Sequence, residues 1–462
     1  MNKQIILATS LIIIIFSACK PHTPEKTIDK IYKEALSDSM AYQNLQYLSD
    51  SIGGRLACSE DGIRAVYWAQ GVMKELQPDT VFLQELKVKN WKRGKKEKAT
   101  LHSSKYGKKS LNVTALGRGI GTNGKPLSGE IIEVNSLEEL SEMDISQTEG
   151  KIIFFNDKMS TERKNTFQAY GEVAGQRFYG PIKAAEYKAK GAIIRSITTS
   201  IDTFPHTGVT KYAEPPETVP AVAVATQHAD QIHKWLSKDN NLTVSYTTYC
   251  KNRPDTTSYN VIGEIRGKKY PNKIITVGGH LDSWDISDGA HDDGAGCMQA
   301  MEVIRIFKKL GIKPNHTIRA VMFMDEEISQ MGGEIYAEEA KRKGETHIFA
   351  LESDRGATKP LGFSIDASDS IRAKLQNFKP LLKPYGIEEF KQGGGGVDIG
   401  PLKEFNTPLV GFVTDSENYF DWHHSPNDTF DKIDFEDFQS GSAAITSLIY
   451  LVDRYGLEDI KE

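Results

Sequence analysis

The sequence is poor in cysteine, in unbalanced charge and in long apolar segments. Four cysteines in 462 residues are too few for a disulfide scaffold. The 57 basic residues face 62 acidic ones, so the chain lacks the cationic excess that follows a phosphate backbone, and nucleic acid is not an expected partner. A content of 39% hydrophobic and 26% charged residues is typical of a globular protein, and it excludes a disordered, collagen-like or polytopic membrane chain.

The N-terminus carries the one pronounced apolar run, residues 5–16, which follows the basic Lys3. The run is too short to span a bilayer, and it predicts a signal peptide over residues 1–18 and an exported protein. Ser17-Ala18-Cys19 resembles a bacterial lipobox, in which a lipidated Cys19 would hold the protein on a membrane surface of the cell envelope. The alternative is an ordinary cleaved signal with an incidental cysteine.

Three cysteines follow Cys19, and an odd number cannot all pair within one chain. Cys58 and Cys250 could form a disulfide in an oxidising compartment. The other interpretation is that both of them and Cys297 are buried thiols. The sequence leaves these two interpretations open.

Three parts of the chain differ in pattern. Residues 27–78 space their apolar side chains as helices do, with a loop at Gly53-Gly54-Arg55-Leu56. Residues 118–255 mix short strands and helices without a dense set of metal-ligand types, which predicts an accessory domain. From residue 258 onward, apolar strands alternate with helices, which predicts an α/β sheet covered on both faces. The predicted strands are 274–277, 318–324, 348–351 and 409–413, and the predicted helices are 294–310, 333–343, 370–382 and 434–455.

Histidine and carboxylate side chains follow these strands closely. Ligands of open α/β sheets bind at the carboxyl ends of strands, so we expect His280, Glu326, Glu327 and Asp354 to converge on one rim. Imidazole and carboxylate ligands without thiolate are typical of zinc or a similar divalent ion in a hydrolytic site. Residues 290–296 and 422–429 add further histidines and aspartates. Two histidines and three carboxylates exceed the needs of one catalytic zinc and suit two ions about 3.5–4 Å apart that share a carboxylate.

Several motifs together resemble the family of co-catalytic zinc aminopeptidases and glutamate carboxypeptidases, in its plasma glutamate carboxypeptidase branch. They are Gly-Gly-His-Leu-Asp-Ser-Trp-Asp at 278–285, Asp-Asp-Gly-Ala-Gly at 292–296, Glu-Ser-Asp at 352–354 and His-His-Ser-Pro-Asn-Asp-Thr at 423–429. The resemblance implies a mixed central sheet with helices on both faces and an inserted protease-associated domain at 118–255. Residues 19–117 would begin the peptidase domain behind a lipid tether, and residues 256–462 would form its catalytic part. A homodimer is also implied.

The resemblance assigns a role to each site residue. It places His280 and Asp354 on one metal ion, Glu327 and His424 on the other, and Asp292 between them, with Asp282 orienting His280 and Glu326 acting as general base. This division suits peptide hydrolysis, since zinc lowers the pKa of water toward about 7 and a carboxylate that does not ligate metal can move the proton.

Some positions near these motifs have two interpretations. His423 contacts substrate or belongs to the core, and His291 is either an outer contact of the site or an exposed loop residue. Asp293 and Asp325 could cap hydrogen-bonded turns, although Asp325 could also raise the basicity of Glu326. Residues 392–398 resemble a loop near the substrate, but their glycines could simply provide flexibility.

The function expected from the sequence is that of an exported zinc exopeptidase acting on dipeptides or on terminal residues of short peptides. Which end is attacked stays open. One alternative is a glutaminyl cyclase-like acyltransferase, which generally keeps a one-metal set. The other is a non-catalytic binding module of the same fold, which would lose ligands or the base. The intact set of five ligands and Glu326 favours the peptidase.

Overall fold

The computed structural model describes residues 23–457, so the predicted signal peptide and Cys19 lie outside the described residues. The α-helices, in chain order from α1 to α13, are Pro24–Ser37, Met40–Tyr47, Glu60–Glu75, Leu137–Ser141, Ile145–Thr148, Thr166–Glu186, Thr226–Leu236, Ala295–Lys309, Met331–Lys343, Asp369–Gln376, Lys379–Leu382, Tyr419–Trp422 and Phe435–Tyr455. The strands, from β1 to β16, are Thr80–Lys92, Lys98–Ser103, Gly107–Leu111, Val113–Ala115, Leu127–Val134, Ile152–Phe155, Gly191–Arg195, Ala221–Val224, Thr243–Thr247, Lys251–Ile265, Tyr270–His280, His316–Phe323, Thr346–Glu352, Pro360–Asp366, Glu389–Gln392 and Leu409–Thr414.

The first sheet is mixed, which confirms the predicted α/β fold. Its strand order is β1-β10-β12-β11-β13-β16-β14-β15. The central strands β12, β11, β13 and β16 run parallel, whereas β10 is antiparallel to both β1 and β12, and β14 is antiparallel to β16 but parallel to β15. Each predicted strand is present, lengthened or shifted by a few residues, and the predicted helix 370–382 is divided into α10 and α11.

Helices cover both faces of this sheet, whose central strands are largely buried. Every residue of β12 is buried, so alternate side chains face opposite layers. On one face, Ala320 and Met322 pack with residues of α1, α2, α3, α8 and α13 in the main core. On the other, Val321 and Phe323 pack against Tyr336 of α9.

A cluster of ion pairs links Arg319 of β12 to Glu264 of β10 and to Glu345, which directly precedes β13. Arg319 donates to Glu345 at 2.7 and 3.0 Å and to Glu264 at 2.6 Å. Burial raises the pKa of Glu345, but hydrogen bonds from His347 and Arg319 outweigh that effect and hold the pKa below its ordinary value. The carboxylate is therefore the form that the folded state stabilises.

The second sheet is an excursion from the first. The chain leaves after Lys92 at the end of β1 and returns at Lys251, the first residue of β10, and these two residues are register partners. Between them, the strand order is β3-β2-β9-β5-β6-β7-β8-β4, with α7 on one face and α4 and α6 on the other. We call this unit, residues 98–247, the accessory module. It already includes three strands between Lys98 and Ala115, upstream of the boundary predicted at residue 118.

The three described cysteines are free thiols. Cys58 and Cys250 belong to one apolar cluster with Trp91 and Trp284, yet the thiols donate separately to the carbonyls of Trp91 and Gly119. Burial raises the pKa of both thiols to about 11, so they are protonated at neutral pH. Within residues 23–457, no helix has the length and apolar character needed to cross a bilayer.

Candidate metal centre and active site

The parallel strands β11, β12 and β13 end at one edge of the first sheet. His280 is the last residue of β11 and lies beside Phe323, the last residue of β12. Gly278 pairs with Glu352 at the end of β13. Glu326 and Glu327 follow β12 within four residues, and Asp354 follows β13 within two, so the expected convergence on one rim is observed.

Asp292 lies at the centre of this rim, between two groups of potential ligands. On one side, Nε2 of His280 is 3.2 Å from Oδ1 of Asp292 and 3.4 Å from Oδ1 of Asp354. On the other, Nε2 of His424 is 3.5 Å from Oδ2 of Asp292 and 3.1 Å from Oε2 of Glu327. The five residues of the predicted ligand set therefore meet, and the two oxygens of Asp292 face different histidines.

The adjacent histidines 423 and 424 differ in their surroundings. Their rings stack 3.5 Å apart, and Nε2 of His423 also approaches Oδ2 of Asp292, at 3.8 Å. His423, however, packs among the rings of Tyr170, Tyr419 and Phe420. Burial lowers its pKa to about 3. His424 alone of the two also lies beside Glu327, which favours it as the ligand.

The accessory module holds the loop that carries these histidines. The Thr207 amide donates to the His424 carbonyl at 2.8 Å, and the Thr207 carbonyl lies 3.3 Å from Nδ1 of His424. Nδ1 of His206 donates to the His423 carbonyl at 2.8 Å. A proton on Nδ1 of His424 leaves its Nε2 free as a ligand atom, which is how outer partners orient metal-binding imidazoles. No motif described above indicates this contact between the accessory module and the site.

Asp282 orients the site differently from the predicted arrangement. Nδ1 of His280 is 3.0 Å from the backbone carbonyl of Asp282, whereas the nearer carboxylate oxygen is 3.8 Å away. That oxygen accepts hydrogen bonds from the amides of Asp325 and Glu326, at 2.8 and 3.3 Å. The buried Asp282 side chain therefore fixes the turn that presents Glu326, while its main chain fixes His280.

Arg55 and Asp428 shape the loop between His280 and Asp292. The fully buried Arg55 guanidinium donates to the carbonyls of Leu281, Asp288 and Gly289 at 2.6 to 2.8 Å. The Asp428 carboxylate accepts from the amides of His291 and Asp292 at 2.8 and 3.2 Å. Neither residue carries a role predicted from the sequence, because these partners are main-chain atoms 136 to 234 positions away.

The structure decides three of the open interpretations. Asp293 caps α8 through the Gly296 amide at 3.1 Å and also accepts from the His280 amide at 3.0 Å. Asp325 is buried and accepts from the Ser329 hydroxyl, which favours its turn-capping role. His291 is buried rather than exposed, and its ring stacks on Trp422 at 4.3 Å.

Within residues 392–398, Gly396 packs closely against a buried carboxylate. Glu352 accepts from the amides of Val397 and Ile399 at 2.9 and 2.8 Å. Gly396 has a φ of 140°, and a Cβ there would lie 2.4 Å from the Glu352 carboxyl carbon. At this position glycine is required by both conformation and space.

The charge at the rim fits cationic ligands. Burial raises the pKa of Glu326, Glu327 and Asp354, because several carboxylates share a small desolvated volume. Burial alone would lower the pKa of His280, but Asp292 and Asp354 outweigh it and raise that pKa. Among the described residues, Oδ2 of Asp292 and Oε1 of Glu327 have no hydrogen-bond partner although they are buried. Metal coordination would satisfy these oxygens.

Comparisons with known proteins agree with this geometry. The sequence profile of peptidase family M28 matches residues 260–449. Carboxypeptidase Q of Xenopus laevis is 31% identical over 404 residues, 87% of this chain and 84% of that protein. The peptidase M28 precursor of Shewanella amazonensis has 34% identity and a TM-score of 0.88, covering 93% of this chain and 96% of its own. A zinc aminopeptidase of Bacillus subtilis shares the fold with a TM-score of 0.64 at 20% identity, over 89% of this chain and 94% of its own. The chain belongs to peptidase family M28, and it is a metallopeptidase of that family.

Proposed function

We propose that this chain is an exported di-zinc exopeptidase that hydrolyses dipeptides or the terminal residues of short peptides. The observation that carries the proposal is the position of Asp292, whose two carboxylate oxygens face His280 and His424 respectively. A single-ion site has no need of such a shared carboxylate. The names carboxypeptidase Q and aminopeptidase, carried by similar proteins, support an exopeptidase.

The residues on the rim would divide between two ions. His280 and Asp354 would hold one, Glu327 and His424 the other, and Asp292 both. Zinc suits this set because it contains imidazole and carboxylate donors without thiolate. When bound, the ions supply Lewis-acid polarisation of the scissile carbonyl and increase the acidity of water.

Glu326 is the residue best placed to move protons. Its side chain is only partly buried, and its carboxylate accepts no hydrogen bond from the described residues, while Asp282 fixes its backbone. Burial raises its pKa, and the neighbouring Asp354 and Asp292 add to that effect, so the carboxylate is more basic than an ordinary glutamate. Glu326 would take a proton from the attacking water and deliver it to the leaving amine.

A metal and activity assay tests the proposal. Protein lacking residues 1–19 should hold close to two zinc ions per chain by mass spectrometry of the metal, and it should cleave dipeptides. Glu326→Gln should keep both ions and lose turnover by at least 10²-fold. Glu338→Gln, at an exposed position of α9, is the matched control and should keep both the two ions and the turnover. One ion per chain would exclude the shared centre, and full activity in Glu326→Gln would exclude the base.

Export and attachment rest on the N-terminal sequence, which lies outside the described residues. We expect the full-length protein to incorporate labelled palmitate and to fractionate with the envelope. Cys19→Ala should abolish labelling. Export of an unlabelled wild-type protein would favour the ordinary cleaved signal. The homodimer also stays a prediction, which light scattering of the purified protein tests.

A further inference from the structure

A cavity of about 1010 Å³ reaches the peptide segment that carries the proposed metal ligand Asp354. Arg355, the next residue in the chain, lines it together with Phe167, Gly394, Thr414 and Asp421. The cavity is large enough for a small peptide. Residues 160–167 and Thr199 come from the accessory module and the remaining wall residues come from the peptidase core, so the cavity lies where the two units meet.

Arg355 presents an uncommitted guanidinium to this cavity. Its Cζ lies 5.2 Å from the centre of the Phe167 ring, and Nη2 makes one long hydrogen bond, 3.5 Å, to the Gly394 carbonyl. Among the described residues, no carboxylate lies within 4.0 Å of it as an ion-pair partner. Most of its capacity for planar, paired hydrogen bonds is therefore unused.

The other basic side chains on the cavity wall differ from Arg355. Arg163 pairs with Glu172 at 2.9 Å, and Lys391 pairs with Glu389 at 2.7 Å. Lys164 is exposed. A carboxylate in the cavity would therefore meet a partly desolvated guanidinium at Arg355 whose paired N–H donors are largely unused. Such a group is favourable for bidentate binding of a carboxylate.

We propose that Arg355 is a specificity-determining residue that binds a carboxylate of the substrate. The proposal rests on the proposed function, because it places that carboxylate beside the centre that would cut the peptide. Arg355 directly follows the proposed ligand Asp354, and one extended residue spans about 3.3–3.6 Å, so we expect the bound carboxylate to belong to a residue near the scissile bond. Both a C-terminal carboxylate and an acidic side chain have this chemistry.

A calorimetric binding assay separates the two sources and does not require turnover. In the Glu326→Gln background, zinc-loaded protein is titrated with L-alanyl-L-alanine, its C-terminal amide, and L-alanyl-L-glutamic acid α-amide. If the C-terminal carboxylate is bound, the dipeptide should bind at least tenfold more tightly than its amide. If the acidic side chain is bound, the glutamyl amide should instead exceed the alanyl amide tenfold.

Replacing Arg355 should remove whichever preference is observed. Arg355→Gln should bind all three peptides within twofold of one another, and Arg355→Lys should keep part of the preference. Arg163→Gln, an arginine on the same wall with its own partner, should behave as the parent protein. Equal binding of the three peptides by the parent, or an equal loss for all three in Arg355→Gln at unchanged zinc content, would overturn the proposal. The latter result would mean that Arg355 only offsets the charge of Asp354 and Glu352. A lack of hydrolysis in the Glu326-containing protein would instead count against the proposed function.

Discussion

Replacing Arg55 by leucine should destabilise the protein and loosen the loop that precedes Asp292. The guanidinium is fully buried and donates to three carbonyls of residues 281–289 and, at 3.2 Å, to Gly53. Leucine fills part of the volume but offers no donor. The carbonyl oxygens would then be buried without partners, and the loop between His280 and Asp292 would lose its main internal support.

The magnitude follows from these contacts. Each orphaned buried acceptor costs about 1–3 kcal/mol, and the relief from burying a charge offsets part of the sum. A net loss of about 3–5 kcal/mol in unfolding free energy is expected, as for other broken buried charge networks. With an unfolding entropy of about 2.1 cal/mol/K per residue, a chain of this size should melt about 3–5 °C lower.

Calorimetric melts of zinc-loaded and chelator-treated protein provide the measurement. The control is Arg64→Leu, in which the side chain is 55% exposed, pairs with Asp61 on the helix surface and donates to the Ser51 carbonyl at 3.3 Å. That change should shift the melting temperature by less than about 1 °C. Arg55→Leu should also lose zinc more readily on dialysis, whereas Arg64→Leu should not. If both variants melt within 1 °C of wild type, the guanidinium does not support the loop and the reasoning is wrong.

Three further outcomes are expected. Asp428→Asn replaces one amide-accepting oxygen by a donor, so zinc affinity should fall about 10–100-fold in a chelator competition assay, and unchanged affinity would contradict this role. Gly296→Ala would place a Cβ 1.9 Å from the Ser353 carbonyl and should lower the melting temperature, whereas Gly71→Ala, in open space on α3, should raise stability by about 0.5–1 kcal/mol. Glu345→Gln should lower the unfolding free energy at pH 7, measured in urea, by about 1–3 kcal/mol. Because the folded state lowers the pKa of this carboxyl, the difference from wild type should shrink as the pH falls below about 4.5. A difference that does not change with pH would refute the assignment.

The sequence was most informative where chemistry and periodicity coincide. Apolar strands followed at once by histidine or carboxylate located His280, Glu327 and Asp354, because the carboxyl ends of parallel strands share an edge whatever the intervening chain does. The resemblance supplied Asp292 and His424, whose motifs follow turns rather than strands. The structure brings all five together.

The parts that the sequence did not reveal depend on main-chain partners. Arg55 lies in a loop that pattern analysis treats only as a break between helices, and its partners are carbonyls, which carry no residue identity. The contact of His280 with the backbone of Asp282 rather than with its carboxylate is equally invisible to residue type. The first three strands of the accessory module, β2, β3 and β4, are short, and polar side chains dominate two of them, so their pattern alone does not predict strands.

The contact between Thr207 and His424 has a consequence for how this enzyme could diverge. Both atoms that Thr207 offers belong to the peptide backbone, so side-chain changes other than to proline leave them in place, and a shift of the whole module would remove them. The accessory module therefore forms part of the framework around the candidate active site and is not a separate appendage. A relative that lacks the accessory module would need another contact to orient the histidine equivalent to His424.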